Sequence, residues 1–259
     1  MAGGMEMNKK NDFIAVFDSG VGGISVLRQL RQHLPRERYV YFGDCANAPY
    51  GSRSTEEVRQ LTLAAAEKLL SEYELKALVV ACNTATAAAI ETLRAKYPEL
   101  IIVGIEPALK LAADQFPGGH IGVMATQVTL REEKFDHLIH RFPGCVVEKI
   151  PAPGLVELIE AGKADSPEAE ALLRQLLGPH IGQLDALVLG CTHYPFAEGA
   201  IRRVLGNQTL LLDGGDGTAR ETRRRLEAKG LLCDEGPGAL IIRSSRDDRE
   251  LARLAAQYL

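Results

Sequence analysis

The 259-residue chain has no run of eighteen or more apolar residues, so no membrane-spanning helix is expected. Met1 to Lys10 lacks a long apolar segment followed by a small-residue cleavage site. Residues 1–11 therefore read as a disordered leader rather than a secretory signal, with a cytoplasmic location as the default. Charge of one sign is also scarce. A net charge of −4 gives no general pull toward nucleic acid or an anionic membrane, and Arg223-Arg224-Arg225 reads as a solvated helix face. The five cysteines are odd in number, widely spread and without a C-x-x-C pair, which argues against a disulfide framework and against a structural zinc site. Cys191-Thr192-His193 holds two potential metal ligands but not a usual ligand spacing. No G-x-x-x-x-G-K-[ST] loop occurs. After Gly20 and Gly22 the third position of a dinucleotide fingerprint is Ser25 rather than Gly or Ala. Neither metal nor nucleotide cofactor is expected.

What remains is an alternation of apolar runs and helical patterns. Ile14–Phe17 is a short strand followed by Asp18-Ser19-Gly20-Val21-Gly22-Gly23, then a helix over Ile24–Leu34. Tyr39–Phe42 is the next strand, and Thr55–Leu70 a helix capped by Ser54 or Thr55. A strand over Leu75–Ala81 ends at Cys82-Asn83-Thr84. A helix over Thr86–Lys96 and a strand over Leu100–Gly104 follow. Continuous apolar strands separated by helices indicate parallel sheets with both faces covered.

The series occurs twice. Ile14-Ala15-Val16 is matched by Ile121-Gly122-Val123 at an offset of 107. The segment Ala77–Cys82 is matched by Ala186–Cys191, and Leu100-Ile101-Ile102 by Thr209-Leu210-Leu211, both at an offset of 109. The helix Thr55–Leu70 has a counterpart in Pro167–Leu177. A period this long is that of a whole domain. The expected fold is α/β, with two pseudo-symmetric doubly wound domains, each with a mainly parallel sheet, and an active site in the cleft between them. One domain is expected to comprise 12–104 plus 215–259, with a further strand over Ala239–Arg243, and the other 105–214.

Ligands of open α/β sheets bind beyond the carboxyl ends of the strands. Those ends carry Asp18-Ser19, Cys82-Asn83-Thr84, Cys191-Thr192-His193 and, more weakly, Ala125-Thr126-Gln127. If the halves face each other, Cys82 and Cys191 stand on opposite walls of one cleft. Inverting a carbon centre by proton transfer needs a base on one face and an acid on the other. A thiolate and a thiol supply both, since a thiol's reference pKa of about 8.5 lies close enough to neutrality for either role. Asp18 and His193 lie beside the cysteines and could separate their proton affinities. Each residue also has a plainer reading: Cys82 and Cys191 as small core fillers, Asp18 as a helix cap, His193 as a core histidine. Two cysteines at matched strand ends, each followed by hydrogen-bonding residues, favour the chemical reading. Cys45, Cys145 and Cys233 lack that context.

At these residues the chain resembles the glutamate racemases of the aspartate/glutamate racemase superfamily. The resemblance rests on Phe17–Gly23, Gly43-Asp44 with Pro49-Tyr50-Gly51, Ala81–Thr86, Gly104-Ile105-Glu106-Pro107 and Gly190–Pro195. It implies cofactor-independent interconversion of L- and D-glutamate, which would supply D-glutamate for peptidoglycan. It also implies catalysis by Cys82, acting on the D-isomer, and Cys191, acting on the L-isomer, assisted by Asp18 and His193. Glu160, with Glu157 one helical turn before it, matches the third assisting acid. Substrate-binding positions carried over are Asp18, Ser19, Pro49, Tyr50, Gly51, Asn83, Thr84, Thr126, Thr192 and His193. The implied partner is glutamate and the implied assembly a homodimer. The chain departs from the family where Cys45-Ala46-Asn47-Ala48 stands in place of Thr-Ala-Arg and one further residue.

Two other classes fit the same scaffold. A cysteine hydrolase or decarboxylase needs one nucleophilic thiol and a covalent intermediate. A two-lobed binding protein needs neither thiol. Fold alone separates none of these; the duplicated cysteine favours the racemase.

Overall fold

The computed structural model describes residues 9–259. In the first half β1 (Phe13–Asp18), α1 (Ile24–His33), β2 (Arg38–Gly43), α2 (Thr55–Glu72), β3 (Leu75–Val80), α3 (Asn83–Lys96) and β4 (Ile101–Gly104) alternate without interruption. The second half runs α4 (Leu109–Gln115), β5 (His120–Ala125), α5 (Gln127–Arg131), α6 (Glu133–His140), β6 (Val146–Pro151), α7 (Leu155–Glu160), α8 (Pro167–Leu177), β7 (Ala186–Gly190), α9 (Glu198–Leu205) and β8 (Leu210–Asp213). The chain closes with α10 (Gly215–Ala228), β9 (Ala239–Ser244) and α11 (Asp248–Ala255).

Two sheets result, in the orders β4-β3-β1-β2-β9 and β6-β5-β7-β8, and every strand pair in both is parallel. Taken from its other edge, the second sheet reads β8-β7-β5-β6, which repeats β4-β3-β1-β2. The register repeats as well. Ile14 pairs with Ala77 and Ala77 with Ile101, while Ile121 pairs with Ala186 and Ala186 with Leu210. These are the residues whose offsets marked the internal repeat.

Strands of this kind are stable because both faces are covered. Helices α1, α10 and α11 bury Leu27, Leu226 and Leu251 on one face of the first sheet, and α2 and α3 bury Leu69 and Leu93 on the other. Each such side chain contributes about 1.5–3 kcal/mol by leaving water. Helix α2 starts where its sequence says it should: Ser54 accepts from Glu57 N and Glu57 reaches back to Ser54, a complete capping box.

The C-terminal segment belongs to the first sheet through β9, which pairs with β2 from Arg38–Ala239 to Gly43–Ser244. Of the expected leader, residues 1–8 lie outside the described residues. Lys10 and Asn11 make fixed contacts: Lys10 Nζ lies 2.6 Å from Asp234, and the Asn11 carbonyl accepts from Arg38 at 2.9 Å. Beneath them Lys76 and Glu37 form a buried ion pair at 2.5 Å. Lys76 also donates to the Leu231 carbonyl and Glu37 accepts from Cys233 N, both at 2.9 Å, which ties the loop before β9 to the base of the sheet.

Candidate active site

The carboxyl ends of the central strands meet between the two sheets. On the first side, β1 delivers Asp18, and Cys82 follows β3 by two residues. Cys82 is the N-cap of α3, with its Sγ accepting from Ala85 N at 3.4 Å and lying 3.6 Å from the Ser19 hydroxyl. An N–H at a helix N-terminus favours a negative sulfur. Burial and the nearby Asp18 carboxylate oppose it and push the thiol up to about 12, with Cys191 close enough to add to that rise.

Asp18 is fully buried. Its Oδ1 accepts from Gly20 N and its Oδ2 from the Thr192 hydroxyl, both at 2.9 Å. It therefore caps nothing: helix α1 begins from Gly23, without a side-chain cap. Burial holds the Asp18 carboxyl above the usual aspartate range, against the attraction of His193.

On the second side, Cys191 follows β7 directly, and its Sγ lies 3.7 Å from His193 Nδ1. The other ring nitrogen, Nε2, lies 2.6 Å from Glu160 Oε1 at the end of α7. That same Oε1 accepts from Val21 N of the first lobe at 2.9 Å. Burial alone would lower the His193 pKa. The Cys191 sulfur and the Glu160 carboxylate outweigh it, so the imidazole titrates well above its ordinary value. For Glu160, burial pushes upward, but hydrogen bonding and charge from His193, with the Val21 N–H, bring the carboxyl below the usual range. Glu157, the alternative acid, lines the neighbouring cavity and not the His193 contact.

The glycine segment after β1 is the surface on which the second lobe lands. A Cβ at Gly20 would sit 2.0 Å from Glu160 Oε1, and one at Gly22 would sit 2.4 Å from His193 Nδ1 and 2.5 Å from Thr192 Oγ1. Glycine is required here for close approach, not for a left-handed backbone. Further contacts cross between the lobes. The Thr84 and Thr126 hydroxyls lie 2.9 Å apart, and a Cβ at Gly51 would meet Thr126 Cγ2 at 2.7 Å.

The remaining expected site residues lie at and around the contact between the lobes, with Pro49, Gly51 and Thr126 in the wall of one cavity and Asn83 in that of another. Thr84, Thr126 and Thr192 are buried, as is Asn83, whose Oδ1 has no partner among the described residues. Pro49 and Gly51 flank Tyr50, whose hydroxyl donates to Asp44 at 2.6 Å and so fixes the turn Tyr50–Ser52. A cavity of about 180 Å³ between Pro49, Val156 and Leu251 has Glu160 in its wall. Cys82 and Cys191 are both buried, at 5% and 7% exposure.

Three residues escaped the sequence reading. The Ser25 hydroxyl lies 2.8 Å from the Gly22 carbonyl and 3.0 Å from the Thr192 carbonyl, bridging the lobes. Asp44 anchors Tyr50 and Asn47. Tyr41, fully buried in β2, donates to the Gly20 carbonyl at 2.7 Å. Nothing in a strand of alternating aromatic residues marks such a hydroxyl. The Gly43-Asp44 strand end was a legible signal for Asp44.

Cys82 and Cys191 thus come from opposite lobes to one contact region, with Asp18 on the first side and His193 and Glu160 on the second. The family model described as Asp/Glu/Hydantoin racemase matches residues 23–222. A glutamate racemase of Clostridium botulinum is 44% identical over 256 residues, covering 98% of this chain and 99% of that one. Among solved structures, a glutamate racemase isoform of Bacillus anthracis superposes with a TM-score of 0.87 at 32% identity, over 96% of this chain and 94% of that one. The Escherichia coli glutamate racemase, solved in complex with L-glutamate and the activator UDP-MurNAc-ala, gives 0.84 at 33% identity, over 95% and 94%.

Proposed function

The chain belongs to the Asp/Glu/Hydantoin racemase family, and on that footing we propose that it interconverts L- and D-glutamate by passing the α-proton between Cys82 and Cys191. The observation that carries this reading is the pairing itself. Two buried thiols stand at equivalent ends of repeated strands, one in each lobe, and Asp18, whose charge acts on Cys82, is hydrogen-bonded to Thr192, the residue after Cys191.

The surroundings divide the labour. Cys82, pushed up to about 12, is a neutral thiol at neutral pH and the natural proton donor at rest. Cys191 has His193 beside it, and His193 has Glu160 behind it, a set able to hold the proton that leaves the Cys191 thiol. With L-glutamate bound, Cys191 removes the α-proton from one face and Cys82 delivers one to the other. In the reverse direction the proton inventory is exchanged, and Asp18, between Gly20 N and Thr192, balances the charge on the Cys82 side. Fixed donors in a dry site are worth more than in water, which supports stabilisation of the carbanion-like state there. Ser19, Pro49, Tyr50, Gly51, Asn83, Thr84, Thr126 and Thr192 are the residues that, on this reading, bind the amino acid.

The proposed setting is a cytoplasmic homodimer, working without cofactor and feeding D-glutamate to peptidoglycan synthesis. Among the described residues no helix is long and apolar enough to cross a membrane. The test is a circular-dichroism or chiral-chromatography assay of purified protein with glutamate and with aspartate, nothing else added. Loss of optical activity with glutamate is expected. Unchanged rotation with both amino acids would overturn the reading, and preference for aspartate would overturn the substrate assignment alone.

A further inference from the structure

Hydrogen bonds from two different lobes end on one peptide unit. The carbonyl of Gly20 accepts from the Tyr41 hydroxyl at 2.7 Å, and the N–H of Val21 donates to Glu160 Oε1 at 2.9 Å. Those two groups are the opposite ends of a single rigid, planar amide. From Glu160 the chain of contacts continues to His193 at 2.6 Å and on to the Cys191 sulfur at 3.7 Å. We propose that Tyr41 is a positioning residue for the Cys191 side of the site, acting through the Gly20–Val21 peptide on Glu160.

Three observations support the assignment. Tyr41 is fully buried in the central part of the first sheet, paired with Val16, so its hydroxyl is a fixed point rather than a mobile surface group. Burial also holds its pKa well above the ordinary tyrosine value, so it remains a donor throughout the working pH range. The amide is tied at both ends, and Glu160 sits directly on it: a methyl added at Gly20 would lie 2.0 Å from the carboxylate oxygen. Donation to the carbonyl end of an amide strengthens the N–H at its other end, because serial hydrogen bonds polarise one another. That N–H is one of the groups that bring the Glu160 carboxyl below its usual range. Removing the Tyr41 hydroxyl therefore weakens the hold on ionised Glu160, and through it the orientation of His193 on Cys191.

A plain structural role makes a different prediction, and the molecule contains the control. Tyr39 is equally buried two residues earlier, and its hydroxyl bonds the Leu30 and Leu34 carbonyls at 3.0 and 2.9 Å, at the far end of α1. Tyr41→Phe and Tyr39→Phe each delete one buried hydroxyl, but only the first touches the peptide under Glu160.

This inference rests on the two-thiol reading, which has its own tests in the cysteine variants; the tyrosine variants test only the added step. For Tyr41→Phe we expect kcat to fall about fivefold, the worth of one ordinary hydrogen bond, with KM within about twofold. The acid limb of its kcat/KM profile should move to higher pH, since activity needs ionised Glu160 and its carboxyl is held less firmly. Tyr39→Phe should keep the wild-type profile. In a Glu160→Gln background Tyr41→Phe should change kcat by less than about twofold, because the pathway is already cut. A wild-type profile for Tyr41→Phe, or the same shift in both tyrosine variants, would overturn the proposal. Should Tyr41→Phe fold poorly, ring-labelled tyrosine spectra of Glu160→Gln give the reciprocal test. The Tyr41 resonance should move and the Tyr39 resonance should not; an unmoved Tyr41 resonance would overturn the proposal equally.

Discussion

Gly20→Ala is the smallest change that should disable the site without disturbing the fold. Gly20 has no positive φ, so alanine meets no backbone strain. Its methyl, however, would lie 2.0 Å from Glu160 Oε1, where non-bonded contact begins at about 3.5 Å. The carboxylate must retreat by more than about 1 Å, a displacement that can cost on the order of 100-fold when it misaligns catalytic groups. In retreating it gives up the Val21 N–H at 2.9 Å and His193 Nε2 at 2.6 Å. The His193 bond alone, as a charged hydrogen bond, is worth about 1.5–3 kcal/mol, equivalent to roughly 10- to 150-fold in rate. Stability should suffer less, because the carboxylate ends a flexible side chain beside a cavity of about 180 Å³. The assay is glutamate racemisation followed by circular dichroism, together with a thermal melt. Gly217→Ala serves as control: it lies near the start of α10 with nothing within 4 Å of its added methyl, and should leave activity unchanged while gaining about 0.5–1 kcal/mol. A Gly20→Ala protein with wild-type kcat would refute the reasoning.

Asp18→Asn should lower turnover by about 100-fold or more, the range of a lost acid–base group, yet show a Tm no lower than wild type. Asparagine keeps the acceptor for Gly20 N and removes a carboxylate that burial disfavours. The pH profile of kcat/KM should have its acid limb below the free-glutamate value of about 4.3, since ionised Glu160 is lost only as pH falls through a depressed pKa. Its alkaline limb should lie above about 6.5, where the His193 imidazolium is lost as pH rises through a raised pKa, and Glu160→Gln should draw that limb to lower pH. Lys76→Met should cost about 3–5 kcal/mol in urea titrations, because it strands the buried Glu37 carboxylate, while leaving KM for glutamate unchanged at low temperature.

Much of this is legible in the sequence. The repeat was visible because parallel strands covered on both faces must be continuous apolar runs, and Ala77–Val80 and Ala186–Leu189 are such runs in matched register. The two cysteines stood out because each ends one of them. The sequence pattern places the start of α3 at Thr86, whereas the helix begins three residues earlier, at Asn83. Asn83-Thr84 has the composition of a loop, and a cysteine is not the usual cap; only geometry reveals its sulfur accepting the Ala85 N–H. The contact between Gly20 and Glu160 joins residues 140 apart in sequence, and no local pattern announces it. Tyr41 and Ser25 were hidden for a related reason: in sequence they belong to core-facing positions of β2 and α1, and their hydroxyls matter only through carbonyls brought to them by the fold.

In the proposed mechanism each thiol serves one face of the same carbon atom. The most direct measurement follows glutamate by proton NMR in D₂O with wild type, Cys82→Ser and Cys191→Ser. Wild type should exchange the α-proton for deuterium as it racemises, and each single variant should lose racemisation in both directions. Racemisation near the wild-type rate by either variant, or racemisation without deuterium entering the α-position, would contradict it.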